Sequence, residues 1–458
     1  MSAKIKITHT DNFIYGTAPN PVTCGHDLSI GTGTVIPEIN FTLPGMEVTA
    51  DNMPAVLAEY AEIIDNVLKR AVHLNVPQLL VEFETLPEMT TNPEWGLKIT
   101  RLLADKIAEC HKTHGIALAL RLTINDIREF SRPPILRSGK YLQAMDTFLA
   151  GAAEAGADMI AIESTGGKEV NDNALISCDL PAVVFALGIL GARDMDFLWN
   201  RIVTSCSQNN IIPSGDSACG FANTAMVLAE QKMIPRIFAA LVRVISVPRS
   251  LVAVTAGAVG PTKDCAYEGP FIKAITGVPI SMEGRSAACA HLSTIGNIAQ
   301  AVCDCWSNES VQNVQLLSAK APTVSMEQLA YDCRLLTTAA RSSHEDARRM
   351  RDWLTESDAS LDPQAYVLRP DVVIEISKAI AAQPTPYLRT RAAASATLEI
   401  LRTAHTAGKL HLRDNEIPWL DMLQTQVDSL PEDENELIEQ MLNRPDIKNS
   451  FHPEEYDL

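Results

Sequence analysis

Glu163, Cys219 and Cys265 each stand just past the end of a separate apolar run, and together they bring one carboxylate and two thiolates. Such a set suits one Zn2+ with an open fourth position, the ligand arrangement of a catalytic rather than a structural metal. Each residue also has an ordinary reading. A lone cysteine is most often a small buried hydrophobe, and a carboxylate following a buried strand is served by a salt bridge as well as by a metal. Local context favours chemistry for the cysteines. Cys219 lies in Ser214-Gly215-Asp216-Ser217-Ala218-Cys219, where Asp216 or Ser217 would cap a helix, and the macrodipole favours the thiolate of a cysteine in a first helical turn. Cys265 follows the stretch 257–264, which is long for a simple connector. Spacing alone does not bring the three together, so the elements that carry them must.

At 458 residues and 46 % hydrophobic, the chain can bury a large core as one big domain with appendages or as two domains. Its ten cysteines are scattered and no secretory signal stands at the start, so a reduced, cytoplasmic protein is expected. The longest apolar stretch, around 182–192, is about half of the roughly 20 residues a membrane helix needs, which argues against a membrane segment. A formal charge of −18 disfavours nucleic acid, whose phosphates require clustered Lys and Arg. The acidity suits solubility, or the steering of a partner with a basic patch.

Residues 1–50 are rich in Gly, Pro and Thr and lack a helical period, which predicts a small β-rich or irregular lead-in. Beyond them helical spacing alternates with short apolar runs. The strand-like runs are 79–84, 116–123, 159–163, 183–187, 211–214, 251–255, 278–282 and, weakly, 323–325. Helical patterns at 54–74, 96–114, 141–155, 195–207, 221–247 and 286–306 separate most of them. Eight such units predict an α/β fold, a (β/α)8 TIM-type barrel over 51–325, more than an open doubly wound sheet. From 326 onward strand signals vanish, and 326–340, 364–382, 388–406 and 419–430 read as helices, so 326–458 are expected to form a helical C-terminal extension packed on the barrel. The stretch 431–458 carries nine acids against two bases, the pattern of a solvated face or tail.

In such a barrel the chemistry gathers where strands give way to loops at the C-terminal face. Strand one ends in Glu82 and Glu84, strand two near Arg121 and Thr123, strand three in Glu163, strand five in Asp216 and Cys219, strand six before Cys265, and strand seven in Glu283. Other constellations are weaker. Cys303-Asp304-Cys305 looks like a metal clip, yet positions two apart on a helix face different sides. His291 suits a metal ligand or a proton donor, but a hydrogen-bonded core histidine is the favoured reading. Gly166-Gly167-Lys168 lacks the full phosphate-loop spacing and reads as a turn.

Several of these segments form long, uncommon words. They include Gly156-Ala157-Asp158-Met159-Ile160-Ala161-Ile162-Glu163-Ser164, Ala222-Asn223-Thr224-Ala225-Met226 after the Cys219 turn, and Pro248-Arg249-Ser250-Leu251-Val252-Ala253 leading to Lys263-Asp264-Cys265. Met282-Glu283-Gly284 and Cys303-Asp304-Cys305-Trp306-Ser307-Asn308-Glu309-Ser310 extend the set. In these words the chain resembles the zinc-containing subunit of methanol:corrinoid methyltransferases. The resemblance implies a barrel with added helices and Zn2+ held by Glu163, Cys219 and Cys265. It also implies a separate corrinoid-carrying protein as partner, methanol as the methyl donor, and a homodimer within a hetero-oligomer. Cobalt(I) of the reduced corrinoid would be the nucleophile, with zinc stabilising charge on the departing oxygen. Two thiolates and a carboxylate leave such a site with net negative charge, so methanol would ionise only in part there, and an acid such as Glu82, Glu84 or Asp216 is expected to manage its proton. Departures from the family pattern fall in the first 50 residues, 124–141 and the C-terminal third, where they bear on partner docking and donor choice. Two alternatives are a methoxylated donor and a metal-free assembly platform for the corrinoid protein.

Overall fold

The computed structural model describes residues 5–42, 46–263, 265–290, 294–311, 315–317 and 319–458. An antiparallel hairpin of β1 (Thr17–Cys24) and β2 (Leu28–Thr32) precedes seven parallel strands. These are β3 (Ile36–Thr42), β4 (Gln78–Glu84), β5 (Ala117–Asn125), β6 (Met159–Glu163), β7 (Ile212–Asp216), β8 (Ser281–Glu283) and β9 (Cys305–Val311), in the sheet order β7-β6-β5-β4-β3-β9-β8. Helices cover the outer side, as a parallel sheet buried on both faces requires. The first of them, Met53–His73, buries Val56, Tyr60, Ile63, Ile64, Val67 and Ala71, the three-and-four spacing of a helix with one apolar face.

The sheet curls into a barrel, and its two edge strands do not pair directly. Residues 259–262 fill the seam. Val259 N donates to Pro213 O at 2.9 Å and Gly260 N to Ser214 O at 2.8 Å on the β7 side, while Thr262 N reaches Pro279 O at 3.2 Å and Ser281 N reaches Thr262 O at 3.3 Å on the β8 side. This segment is the sixth stave of an eight-stave wall. Arg121 holds it from inside, donating to Pro261 O and Thr262 O at 3.2 Å each, to Ser281 Oγ at 2.7 Å and to Glu38 Oε2 at 3.3 Å, with its Nε in an ion pair 2.9 Å from Glu38 Oε1.

The barrel is as expected, but its strands are not all where the apolar runs lie. Residues 183–187 belong to helix Leu180–Phe185 and the π-type turn Ala186–Gly191, 251–255 to helix Val247–Ala256, and 323–325 to helix Ala321–Ser342. The first two segments are buried on nearly all sides, and a short all-apolar run has the same pattern in a buried helix as in a buried strand. The barrel's first strand, β3, lies inside the stretch 1–50 expected as a lead-in, and β9 begins at Cys305 within the expected helix 286–306, where the described residues form only helix Arg285–Ala290 and the short turn Ile298–Ala301. Both carry polar residues into the lumen. Glu38 meets Arg121, and Asn40 Nδ2 donates to Glu84 Oε2 at 3.1 Å, so neither strand shows an unbroken apolar run.

Two further expectations change. The run Arg236–Ala256 is long and apolar enough by composition to cross a membrane, but 94 % of its most apolar 18-residue window is buried inside the protein, in the consecutive helices Arg236–Ile245 and Val247–Ala256. The acidic stretch 431–458 is not a solvated tail, since Leu437, Met441, Ile447, Phe451 and Tyr456 are buried.

Glu38→Ala would leave the Arg121 guanidinium buried without its carboxylate. We expect a loss of about 3–5 kcal/mol in denaturant unfolding; a loss under about 1 kcal/mol would show that the carbonyls at the seam suffice.

Candidate metal centre

Counted on the observed wall, Glu163 ends the fourth stave, Cys219 follows the fifth and Cys265 the sixth. The numbering expected for the cysteines holds because a spurious strand at 183–187 offsets the unrecognised β3. Glu163 is moved from strand three to strand four.

Three neighbouring staves place the three side chains on one rim, where one ligand atom from each lies within 4.8 Å of the others. Cys265 Sγ donates to Glu163 Oε1 at 2.9 Å. Cys219 opens the π-type turn Cys219–Asn223, which continues into helix Thr224–Glu230. Neither expected cap forms. Ser217 Oγ instead accepts from Ala266 N at 3.2 Å and from Cys265 Sγ at 3.5 Å, tying one cysteine loop to the other. Ala218 N donates to the buried Glu268 Oε1 at 2.7 Å, which also accepts from Ser250 Oγ at 2.8 Å. Besides the bonds of the Cys265 sulfur, the two cysteine loops are therefore fixed through the backbone N–H groups of Ala266 and Ala218. Among the described residues no fourth His, Cys, Asp or Glu joins the group.

The electrostatics are those of acids gathered around one cation. Lys263 is 3 % exposed, with its Nζ 2.6 Å from Glu82 Oε1, 3.4 Å from Glu84 Oε2 and 3.7 Å from Glu163 Oε1. Burial pushes the Glu163 carboxyl up to about 8, with the charge of Glu84 adding to the rise and Lys263 opposing it. The Cys219 thiol, though lowered by its hydrogen bond with Cys265, is pushed up to about 12 by burial and by the carboxylates of Glu163 and Glu283. Burial and the neighbouring Cys219 raise the Cys265 thiol well above its ordinary range as well. Without a metal such a cluster retains protons; a divalent cation offers these donors the positive charge they lack.

Of the expected proton handlers, Glu82 and Glu84 face the lumen beside Lys263. Glu82 is wholly buried and accepts from Thr123 Oγ1 at 2.5 Å, while the Glu84 side chain is 23 % exposed. Burial raises the Glu84 carboxyl, with Glu82 and Glu309 adding to the rise. Asp216 is placed differently. Its Oδ2 accepts from Trp199 Nε1 at 2.8 Å and Ser164 Oγ at 2.7 Å, and its Oδ1 lies 3.5 Å from Arg249 Nη1.

Cys303 and Cys305 are buried, and Cys305 begins β9, so both stand at the opposite end of that strand from the rim. Asp304 between them pairs with Lys273 Nζ at 2.7 Å and accepts from Ile280 N at 2.9 Å. Gly167 starts helix Lys168–Ser177 at φ 88°, and Lys168 pairs with Asp172. His291 and Asp264 lie outside the described residues. Two contributors escaped the sequence reading. Lys263 sits within a recognised word, and only the fold turns it toward three acids. Asn223, whose Nδ2 lies 3.7 Å from Cys219 Sγ, is four residues on, a helical spacing that was the available signal.

A family model described as the methanol-cobalamin methyltransferase B subunit matches residues 1–457. The chain is 37 % identical over 454 residues to the methanol–corrinoid protein co-methyltransferase of Methanosarcina barkeri (strain Fusaro), a match covering 98 % of this chain and 97 % of that protein. It is also similar to the chain in the crystal structure of the methanol:cobalamin methyltransferase complex MtaBC from Methanosarcina barkeri, with a TM-score of 0.94 and 36 % identity over 100 % of this chain and 99 % of that one. On the full-length match in sequence and fold, the chain belongs to the methanol-cobalamin methyltransferase B subunit family and is a methyltransferase.

Proposed function

We propose that this protein transfers the methyl group of methanol to the reduced cobalt of a partner corrinoid protein, with Zn2+ held by Glu163, Cys219 and Cys265. The observation that carries the metal reading is the convergence of these donors within 4.8 Å on the rim of a barrel. Family membership supports the donor, and the complex in which the similar chain was solved supports the corrinoid partner. A homodimer within a hetero-oligomer, working in the cytoplasm, completes the reading.

Zn2+ held there supplies a Lewis acid for the charge that builds on the methanol oxygen as its bond to carbon breaks. The protein's own residues do the rest. Ser217 and Glu268 hold the cysteine loops in register, and Lys263 keeps Glu82, Glu84 and Glu163 together on one side of the mouth. The methyl group leaves without its bonding electron pair, cobalt(I) contributes two electrons, and the departing oxygen needs one proton to become water. Glu84 is the acid best placed to give it. Its carboxyl is raised by burial and retains partial exposure toward the mouth. Glu84 Oε2 is itself bonded by Asn40 and Lys263, but Glu82 is wholly buried between Lys263 and Thr123, and Asp216 is buried among Trp199, Ser164 and Arg249.

Methylation of cob(I)alamin by methanol, measured with zinc content per chain, tests the reading. Cys265→Ala is expected to lose both, and full zinc in that variant would sink the ligand assignment. Glu84→Gln should keep its zinc and slow methyl transfer by about 100-fold or more; an unchanged rate would place the proton elsewhere. Zn2+ must displace protons held by Glu163 and the two thiols, because the Glu163 carboxyl is protonated below about 8 and the thiols titrate higher. Zinc affinity is therefore expected to rise steeply as pH goes from about 6 to about 8, and a flat profile in chelator competition would contradict these donors.

A further inference from the structure

The acidic segment that follows the last helices does not hang free. Its residues reach the loops that surround Glu163. Phe451 packs edge-on against Phe185 at 5.9 Å and Tyr456 at 5.7 Å, and both Phe451 and Tyr456 are buried. Glu455 Oε2 accepts from the backbone N–H groups of Leu136 and Arg137 at 2.9 and 2.6 Å. Arg193 Nη1 donates to the carbonyls of Tyr456 and Asp457 at 3.1 and 2.7 Å, and Arg137 pairs with Asp457. Tyr456 Oη makes two bonds at once, accepting from Gly167 N at 2.9 Å and donating to Glu169 Oε1 at 2.5 Å.

Those contacts bear on one loop. Between Glu163 and Gly167 the chain has little room to move. Ser164 is bonded to Asp216 and Arg249, and Thr165 donates through both N and Oγ1 to Asp126 Oδ2. A Cβ on Gly166 would lie 2.3 Å from Asp194 Oδ2, and one on Gly167 2.5 Å from Ala186 O. Asp126 and Asp194 are joined by Arg128, whose Nη1 also donates to Leu136 O at 3.2 Å, in the loop that Glu455 grips. Tyr456 therefore holds the far end of the Glu163 loop, and Glu455 braces the loop that holds its near end.

We propose that residues 451–458 are a positioning strut for the metal centre, in which Tyr456 and Glu455 fix the loop after β6 so that Glu163 stays within reach of Cys219 and Cys265. The strut rests on the metal reading above. It acts through Glu163 and touches neither methanol nor the metal. Tyr456→Phe removes the acceptor of a buried Gly167 N–H together with the donor to Glu169, so the loop loses its fixed end.

The test is Zn2+ affinity by chelator competition on the full chain, compared with thermal unfolding of the same samples. Tyr456→Phe and Glu455→Ala are each expected to weaken Zn2+ binding by about tenfold, the lower end of what loss of a metal ligand's supporting partner costs, whereas Glu169→Gln, which retains an acceptor for Tyr456, should bind like the parent. Parent affinity in folded Tyr456→Phe and Glu455→Ala overturns the strut, even if their unfolding midpoints fall. A parent that binds no Zn2+ overturns the metal reading and the strut with it. If Tyr456→Phe does not fold, Glu455→Ala decides by the same criterion.

Discussion

Arg121 on β5 joins the two edges of the sheet from inside the barrel, and the placement of the metal ligands depends on that join. The seam between β7 and β8 is spanned by a segment too irregular to form a full strand, and the guanidinium supplies the contacts a longer ladder would have given: two backbone carbonyls at 3.2 Å, a serine hydroxyl and the carboxylate of Glu38. A planar group with five donors suits this position, and lysine, with a single compact charge, does not. Burying a charge pair is costly unless the remaining donors and acceptors are engaged. The consequence is local. Thr262, held by Arg121, is followed by Lys263 and then, two residues on, by Cys265.

The mouth above this clamp is a balance of charge. Glu82, Glu84 and Glu163 converge on one buried cation, and the thiols of Cys219 and Cys265 lie beside them. So many anions cannot be buried against a single lysine without keeping protons, which is why the carboxyls of Glu84 and Glu163 and both thiols are raised. The same excess that holds protons attracts a divalent cation. A metal bound there would compete with protons for one set of donors.

Legibility in the sequence followed the physical environment of each element. Strand β6, apolar along Met159–Ile162, was plain because burial on both sides selects an apolar run, and β4 was plain because four apolar residues accompany the acids it turns into the lumen. The strands β3 and β9 were not, because polar residues break their apolar pattern, among them Glu38 and Asn40, whose partners Arg121 and Glu84 lie on other strands. The apolar segments 183–187 and 251–255 misled for the complementary reason, that a helix buried all round loses its amphipathic period. The acidic stretch 431–458 was read by its charge, although the few apolar residues within it, with Glu455, decide where it lies.

Taken alone, the sequence determined the donor chemistry and the class of fold. One carboxylate and two cysteines after strand-like runs, an alternation of helix and strand, and long words shared with a known family were enough to name Glu163, Cys219 and Cys265 and to expect a barrel. Tertiary structure decided which strands build the wall, that the ligand atoms meet within 4.8 Å, that Lys263 stands among the acids, and that Asp216 is tied to Trp199, Ser164 and Arg249. The reason is the same in each case. Residue type and spacing record what a side chain can do, whereas contacts between residues far apart in the chain, such as Cys265 with Ser217 at 48 positions and with Glu163 at 102, exist only once the barrel has closed.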